Sequence, residues 1–241
     1  MLLLALDTSA GTESAALLDD DRLLAARTWP GDRAHARLFF DSLRSMLAET
    51  KIDPARLDVY AVGLGPGSFT GLRMALSAAL GMALPGRKTV YGLPSAEAAA
   101  AEAARETGCS RILVCGDGRR GRFWSGLFIA RDGLFALEGD WRLEPLSDLP
   151  ARLPPGGAVC TADWEILAGP LREAVRGGSF HLIERDVCPS AETVGRLALE
   201  RVKRGLPSLP LSPIYLHPPV FIPPSFPVEE EEEINPVQES P

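Results

Sequence analysis

This 241-residue chain lacks several features, and each absence removes a class of function. No apolar run approaches the roughly 18 residues that a membrane helix needs. The run Leu2 to Leu6 is too short for a signal sequence, has no basic residue before it, and leads straight into Asp7. Histidine is scarce, with three residues far apart; His35 has no acid or second histidine at helical spacing and reads as no ligand. Cys109, Cys115, Cys160 and Cys188 form no Cys-x-x-Cys pair and have no neighbouring histidine, so zinc-site spacing is absent. Unpaired thiols in a reducing cytoplasm are the simpler reading. Cys–His pairing, a serine nucleophile elbow and a His-Glu-x-x-His sequence are also missing, which leaves peptidase chemistry without a carrier. A soluble cytoplasmic protein is expected.

What is present is enough apolar residue, 46%, to bury a real core in one or two domains. The net charge of −7 is concentrated: residues 228–241 hold six acidic and no basic residues, leaving 25 basic against 26 acidic in the body. A near-neutral body gives no electrostatic footprint for tight, autonomous nucleic-acid binding. The densest basic cluster, Arg119, Arg120 and Arg122, reads as a solvated loop. Ten of the 21 prolines lie in residues 206–241, together with the run Glu229 to Glu233. That composition predicts disorder beyond about Pro218, because too little surface can be buried to offset chain entropy.

The chain is organised around Gly65-Pro66-Gly67-Ser68-Phe69-Thr70-Gly71-Leu72-Arg73. An apolar run from Val59 to Leu64 predicts a buried strand before it, and the alanine-rich run Leu72 to Leu84 a helix after it. Glycines and a proline make this a tight strand-to-helix turn that another group can approach closely. Its amides, at a helix N-terminus, are able to hold an anion, and Ser68 or Thr70 to cap the helix. No Gly-Lys-Ser/Thr ending is present, so this is not a Walker loop. Taken alone, the turn reads equally as one that binds nothing.

Around it, Leu2 to Leu6 predicts a central strand ending in Asp7-Thr8-Ser9, with strands Ser14 to Leu18 and Leu23 to Arg27 joined by an Asp19-Asp20-Asp21 turn. Such a meander is one opening of the actin and hexokinase type of fold, where the acid and hydroxyl reach towards phosphates; the plainer reading is that they satisfy turn amides. The helix His35 to Glu49 carries two apolar stripes, one with Phe39 or Phe40, Leu43 and Leu47, the other with Leu38, Ser42 and Met46. One stripe serves the core and the other is free for a partner. The helix Leu72 to Leu84 has a bulky row, Leu72, Leu76 and Leu80, and a smooth one, Gly71, Ala75, Ala78 and Ala79. A strand Thr89 to Leu93 and a helix Ala96 to Glu106, capped by Ser95, close the first half near Gly108. Strands at 111–115, 123–130, 134–138, 159–161 and 180–183 follow, with helices near Ser147, over 164–176 and over 190–204. Two halves that open on strands and close on helices predict a duplicated α/β lobe: residues 1–108, residues 109–217, and a disordered tail 218–241.

The sequence Asp7-Thr8-Ser9, the Gly65 to Arg73 motif and Pro94-Ser95-Ala96-Glu97 together resemble the bacterial TsaB family, also called YeaZ. The likeness is strong over residues 1–105 and looser over 110–217. In the second half, Asp117 to Trp124 looks like the family's Asp-Ala-Arg-x-Gly-Glu-x-Tyr turn, with Gly118, Arg122 and Trp124 as departures. Pro213-Ile214-Tyr215-Leu216-His217 looks like its Pro-x-Tyr-Leu-Arg ending, with His217 in place of Arg.

The resemblance implies a two-lobed actin-like ATPase (ASKHA, ribonuclease H-like) fold and a role in making threonylcarbamoyladenosine beside the tRNA anticodon. It implies a non-catalytic subunit that binds the transferase TsaD, works with the small ATPase TsaE through that complex, and meets tRNA only there; the surfaces of the two helices make a homodimer a possible arrangement when TsaD is absent. Catalytic TsaD-like relatives carry a His-x-x-x-His pair where this chain has Ser95 and Ala99, so no such metal site and no cofactor is expected. The expected partner interface is Leu38, Ser42, Met46, Arg73, Ala75, Ala78 and Ala79. The alternative is a nucleotide-binding ATPase or kinase of the same fold, with Asp7, Thr8, Ser9, Gly65, Gly67 and Ser68 around the phosphates.

Overall fold

A computed structural model describes residues 1–31 and 35–216, and the backbone alone of His35 and Ala36. The first sheet grows from β1 (Leu2–Asp7), whose apolar run is buried on both faces. On one side β1 pairs antiparallel with β2 (Thr12–Asp19), which pairs antiparallel with β3 (Arg22–Pro30). On the other side come the parallel strands β4 (Val59–Gly63) and β5 (Thr89–Leu93), giving the order β3-β2-β1-β4-β5. Asp20, in the acidic turn between β2 and β3, takes the left-handed conformation, φ 49°, that short polar side chains tolerate.

The second sheet repeats this plan. A meander of β6 (Arg111–Asp117), β7 (Arg122–Arg131) and β8 (Leu134–Pro145) is extended by parallel β9 (Ala158–Thr161) and β10 (His181–Asp186), in the order β10-β9-β6-β7-β8. Each half therefore has three antiparallel strands followed by two parallel ones, the duplicated ribonuclease H-like lobe of the actin-like ATPase class. Strand β8 runs well past the expected Glu138, because its ladder with β7 shifts register between Ser125 and Leu127 and then resumes.

The helices cross between the halves. Helices α1 (His35–Thr50) and α2 (Phe69–Ala83) cover one face of the first sheet. Helix α3 (Ser95–Thr107), although it belongs to the first half in sequence, buries Ala96, Ala99, Ala100 and Ala103 against the second sheet. Helix α4 (Trp164–Ala174) covers that sheet's other face. Helix α5 (Ala191–Lys203), from the second half, returns to the first sheet and buries Val194, Ala198 and Leu199 beside Leu3 and Leu18. The alanines make α3 thin enough to lie between the second sheet and α5. There Arg201 donates to both carboxylate oxygens of the buried Glu97, at 2.7 and 2.9 Å. Ser190 donates to Glu102, and Arg105 to Thr193.

Beyond α5, residues 206–216 form a strap along the first sheet. The Tyr91 hydroxyl donates to the Pro207 carbonyl at 2.8 Å, the Leu209 amide to Gly92 at 3.0 Å, and the Ile214 amide to Leu64 at 2.8 Å. His217 and the expected tail 218–241 lie outside the described residues. Among the described residues no helix is long and apolar enough to cross a membrane.

Candidate functional site

The glycine turn and the end of β1 are built against each other. The Asp7 side chain is fully buried, and its Oδ1 accepts hydrogen bonds from the Ser9 amide (3.0 Å) and hydroxyl (2.6 Å). The Thr8 hydroxyl donates to the Gly71 carbonyl at 2.6 Å, and the Ser68 amide donates to the Ser9 carbonyl at 2.8 Å. Ser68 caps α2 by accepting from the Gly71 amide, as its position predicts. Ser95 is the first residue inside α3 rather than its cap, and its hydroxyl accepts from the Gly65 amide at 2.9 Å. Gly65 sits at φ +93°, which suits glycine.

Two of the glycines are there for closeness. A Cβ added to Gly67 would lie 2.1 Å from the Ser9 carbonyl oxygen, and one added to Gly71 would lie 2.0 Å from that of Thr8. The amides of Gly65, Ser68 and Gly71 thus already have acceptors within the chain, and the backbone of Thr8-Ser9 occupies the concave side of the turn. Asp7 Oδ1 and the Thr8 hydroxyl thus bond to groups of the chain itself, while Asp7 Oδ2 is buried without a hydrogen-bond partner among the described residues. Burial pushes the Asp7 carboxyl up to about 6, against the hydrogen bonds from Ser9 that favour its charged form.

The helix faces correct part of the expected interface. Met46 is fully buried, with Phe39 and Leu43, in the core under α1. Positions 39, 43 and 46 follow the 3.6-residue period, which draws Met46 out of the stripe assigned to Leu38 and Ser42. Ala75 and Ala79 are buried too, because the smooth row of α2 is what lets the helix sit close to its own sheet. Leu38, Ser42 and Ala78 are half-buried, and Arg73 is exposed. Apart from Phe69 at the start of α2, the large apolar side chains of these two helices that face outward are Phe40 on α1 (57% exposed), Leu80 on α2 (42%) and Leu84 at its C-terminal cap (76%). Leu80 belongs to the bulky row, and only the burial of its neighbours separates it from Leu72 and Leu76.

Between the lobes lies a cleft of about 1130 Å³, lined by the glycine turn, α3, the end of β6 and the strap. On the second-lobe wall Asp163 accepts from the Asp117 amide at 2.7 Å, and Asp117 pairs with Arg119 at 3.0 Å. Burial holds the Asp163 carboxyl above its ordinary value. On the first-lobe lip Arg73 stacks over Phe69, 3.8 Å from its ring centre, and donates from Nε to the Tyr215 hydroxyl at 2.7 Å. Nothing in the sequence signals a link between residues so far apart. Cys115 and Cys160 are free and buried; burial pushes the Cys115 thiol up to about 12, which leaves it inert. Among the described residues no group of three or more His, Cys, Asp or Glu side chains is placed to hold a metal.

Comparison with known proteins agrees with this architecture. The family described as "TsaD: tRNA N6-adenosine threonylcarbamoyltransferase" matches residues 30–132. The tRNA threonylcarbamoyladenosine biosynthesis protein TsaB of Escherichia coli is 31% identical over 127 residues, 52% of this chain and 54% of that protein. The protein of the same description from Bacillus subtilis is 31% identical over 134 residues, 56% of this chain and 58% of its own length. The chain thus spans little more than half the length of these curated relatives. Among solved structures, YeaZ from Pseudomonas aeruginosa superposes with a TM-score of 0.74 at 28% identity, covering 89% of this chain and 99% of that one. With its glycine turn, duplicated sheets and these matches, the chain belongs to the TsaB (YeaZ) family.

Proposed function

We propose that this chain is a non-catalytic scaffold of tRNA threonylcarbamoyladenosine synthesis. It binds a TsaD-like transferase in the cytoplasm, and through that complex meets the TsaE-like ATPase and the tRNA. The observation that carries this reading is the outward apolar set Phe40, Leu80 and Leu84 on α1 and α2, beside a turn in which the Gly65, Ser68 and Gly71 amides already have acceptors within the chain. Large apolar side chains left in water at a helix face gain by burial against another helix. The interface residues are therefore Phe40, Leu80, Leu84, Ala78 and Leu38, with Ser42 and Arg73 at the rim. When TsaD is absent, a second copy covers the same face.

Support for the absence of chemistry comes from the same residues. Ser95 and Ala99 stand where a catalytic relative has its metal pair, and Ser95 is occupied with Gly65. The amides of Gly65, Ser68 and Gly71, given to the chain itself, are not free to hold a nucleotide's phosphates. The test is co-expression with the TsaD-like protein of the same source, followed by a mass measurement and by titration of ATP·Mg²⁺ into the lone chain. A stable heteromeric complex and no nucleotide heat are expected. Absence of a complex, or saturable ATP binding by the lone chain, would sink the proposal.

A further inference from the structure

The first-lobe lip of the cleft carries an exposed pair of aromatic rings, Phe69 and Tyr215, of which the scaffold reading uses neither; it uses only their neighbour Arg73, as a rim residue. Phe69 is 55% exposed and Tyr215 42% exposed, with ring centres 5.1 Å apart and planes tilted by 32°. The Arg73 guanidinium lies over Phe69 and is fixed to Tyr215 by its Nε hydrogen bond. These rings are not needed to hold the strap, which is already tied to the first sheet through Tyr91, Gly92 and Leu64. They are left in water, pre-ordered, at the mouth of a cleft whose opposite wall carries Trp124. Among the described residues the charged ones lining the cleft are Arg73, Arg119, Asp117 and Asp163, whose charges balance. Such a wall does not favour a polyphosphate; it suits a planar, largely neutral group.

We propose that Phe69, Arg73 and Tyr215 form a platform on which one unpaired nucleobase stacks at the mouth of the interlobe cleft. Aromatic and guanidinium faces are the usual partners of splayed-out bases, and stacking is tolerant of sequence. Because Arg73 and Tyr215 hold each other in place, little side-chain freedom is lost when a base arrives. With no basic wall to attract the backbone, binding by the lone chain is weak and only shallowly salt-dependent. The base comes from single-stranded RNA or from a free nucleoside, which share this chemistry. The inference does not rest on partner binding by α1 and α2.

The test uses the full chain alone, so that a failure to bind TsaD leaves it untouched. A short single-stranded RNA with a central 2-aminopurine is titrated and its fluorescence followed, with adenosine and inorganic tripolyphosphate as competitors and the same strand in a duplex as control. A saturable change is expected for the single strand and not for the duplex. Phe69→Ala and Tyr215→Ala should each weaken it at least about five-fold, the low end of one base–aromatic stack; Phe69→Tyr should retain it. Displacement by adenosine identifies a free nucleoside as a sufficient source, and saturable binding of the strand that adenosine does not displace identifies single-stranded RNA. No saturable signal at the highest soluble probe concentration would overturn the proposal. So would equal binding of the duplex, unchanged binding by folded Phe69→Ala, or displacement by tripolyphosphate as effective as by adenosine.

Discussion

Replacing Gly67 by alanine tests why the turn is rich in glycine. The added methyl group would meet the Ser9 carbonyl oxygen at 2.1 Å and its carbonyl carbon at 2.9 Å, where real Cβ atoms stay beyond 3.0 Å. Both obstacles are backbone, so no flexible side-chain end can swing aside. Overpacking of this kind costs about 1–3 kcal/mol. Moving Ser9 away would also stretch the hydrogen bond from the Ser68 amide, which contributes roughly 0.5–1.5 kcal/mol. The sum, about 2–4 kcal/mol, corresponds to a fall in Tm of roughly 5–15 °C for a domain of this size. Gly81, exposed within α2 and with nothing within 4 Å of the place its added methyl group would take, is the internal control. Gly81→Ala should gain about 0.5–1 kcal/mol through helix propensity alone. Thermal and urea unfolding of the isolated chain read both changes. If Gly67→Ala were as stable as the parent, close packing on Ser9 would not be the reason for this glycine, and an anion at the turn would again need consideration.

Other substitutions probe the buried charges and the helix faces. The Asp7 carboxyl titrates near 6 in the folded chain and near 3.8 when unfolded, so the folded state holds the proton more tightly. Stability from this group is therefore present below pH 3.8 and lost as pH rises through about 6, a penalty of roughly 3 kcal/mol at neutral pH. Asp7→Asn should remove that slope in urea unfolding between about pH 4 and 7; a difference between parent and variant that does not change with pH would contradict it. Glu97→Ala strands the charge of Arg201 between α3 and α5 and should cost about 3–5 kcal/mol, part of which Arg201→Met should restore in the double variant. Additive losses in that double-mutant cycle would show that the pair does not interact. Met46→Glu should unfold the chain outright, because the new carboxylate would be buried among Phe39 and Leu43; a folded, cooperative melt would place Met46 at the surface instead.

Much of this fold can be read from local pattern. The run Leu2 to Leu6 and the short apolar stretch Ser14 to Leu18 specify strands because each is a brief, continuous apolar segment bounded by turn residues, and both are buried on both faces. Ser68 and Ser190 act as helix caps, as their positions require. What local pattern does not carry is the exchange of α3 and α5 between lobes, since an alanine-rich helix with apolar residues on several sides fits either sheet. The same ambiguity put Met46, Ala75 and Ala79 on a partner surface: small and flexible residues pack equally well against a sheet or against another helix. In the site, the backbone carbonyls of Thr8 and Ser9 decide what the glycines are for, and backbone groups leave no mark in a sequence. The pairing of Arg73 with Tyr215 depends on where the strap crosses the sheet, a tertiary fact with no local signature.

The most direct test of the scaffold reading is the mass of the complex formed with the TsaD-like partner by the Leu80→Glu/Leu84→Glu chain, measured beside the parent by light scattering after size exclusion. Both leucines are outward, so the variant should melt within a few degrees of the parent. The parent is expected to elute with its partner and the folded variant to elute alone. A variant that still forms the complex with undiminished affinity would contradict the scaffold reading.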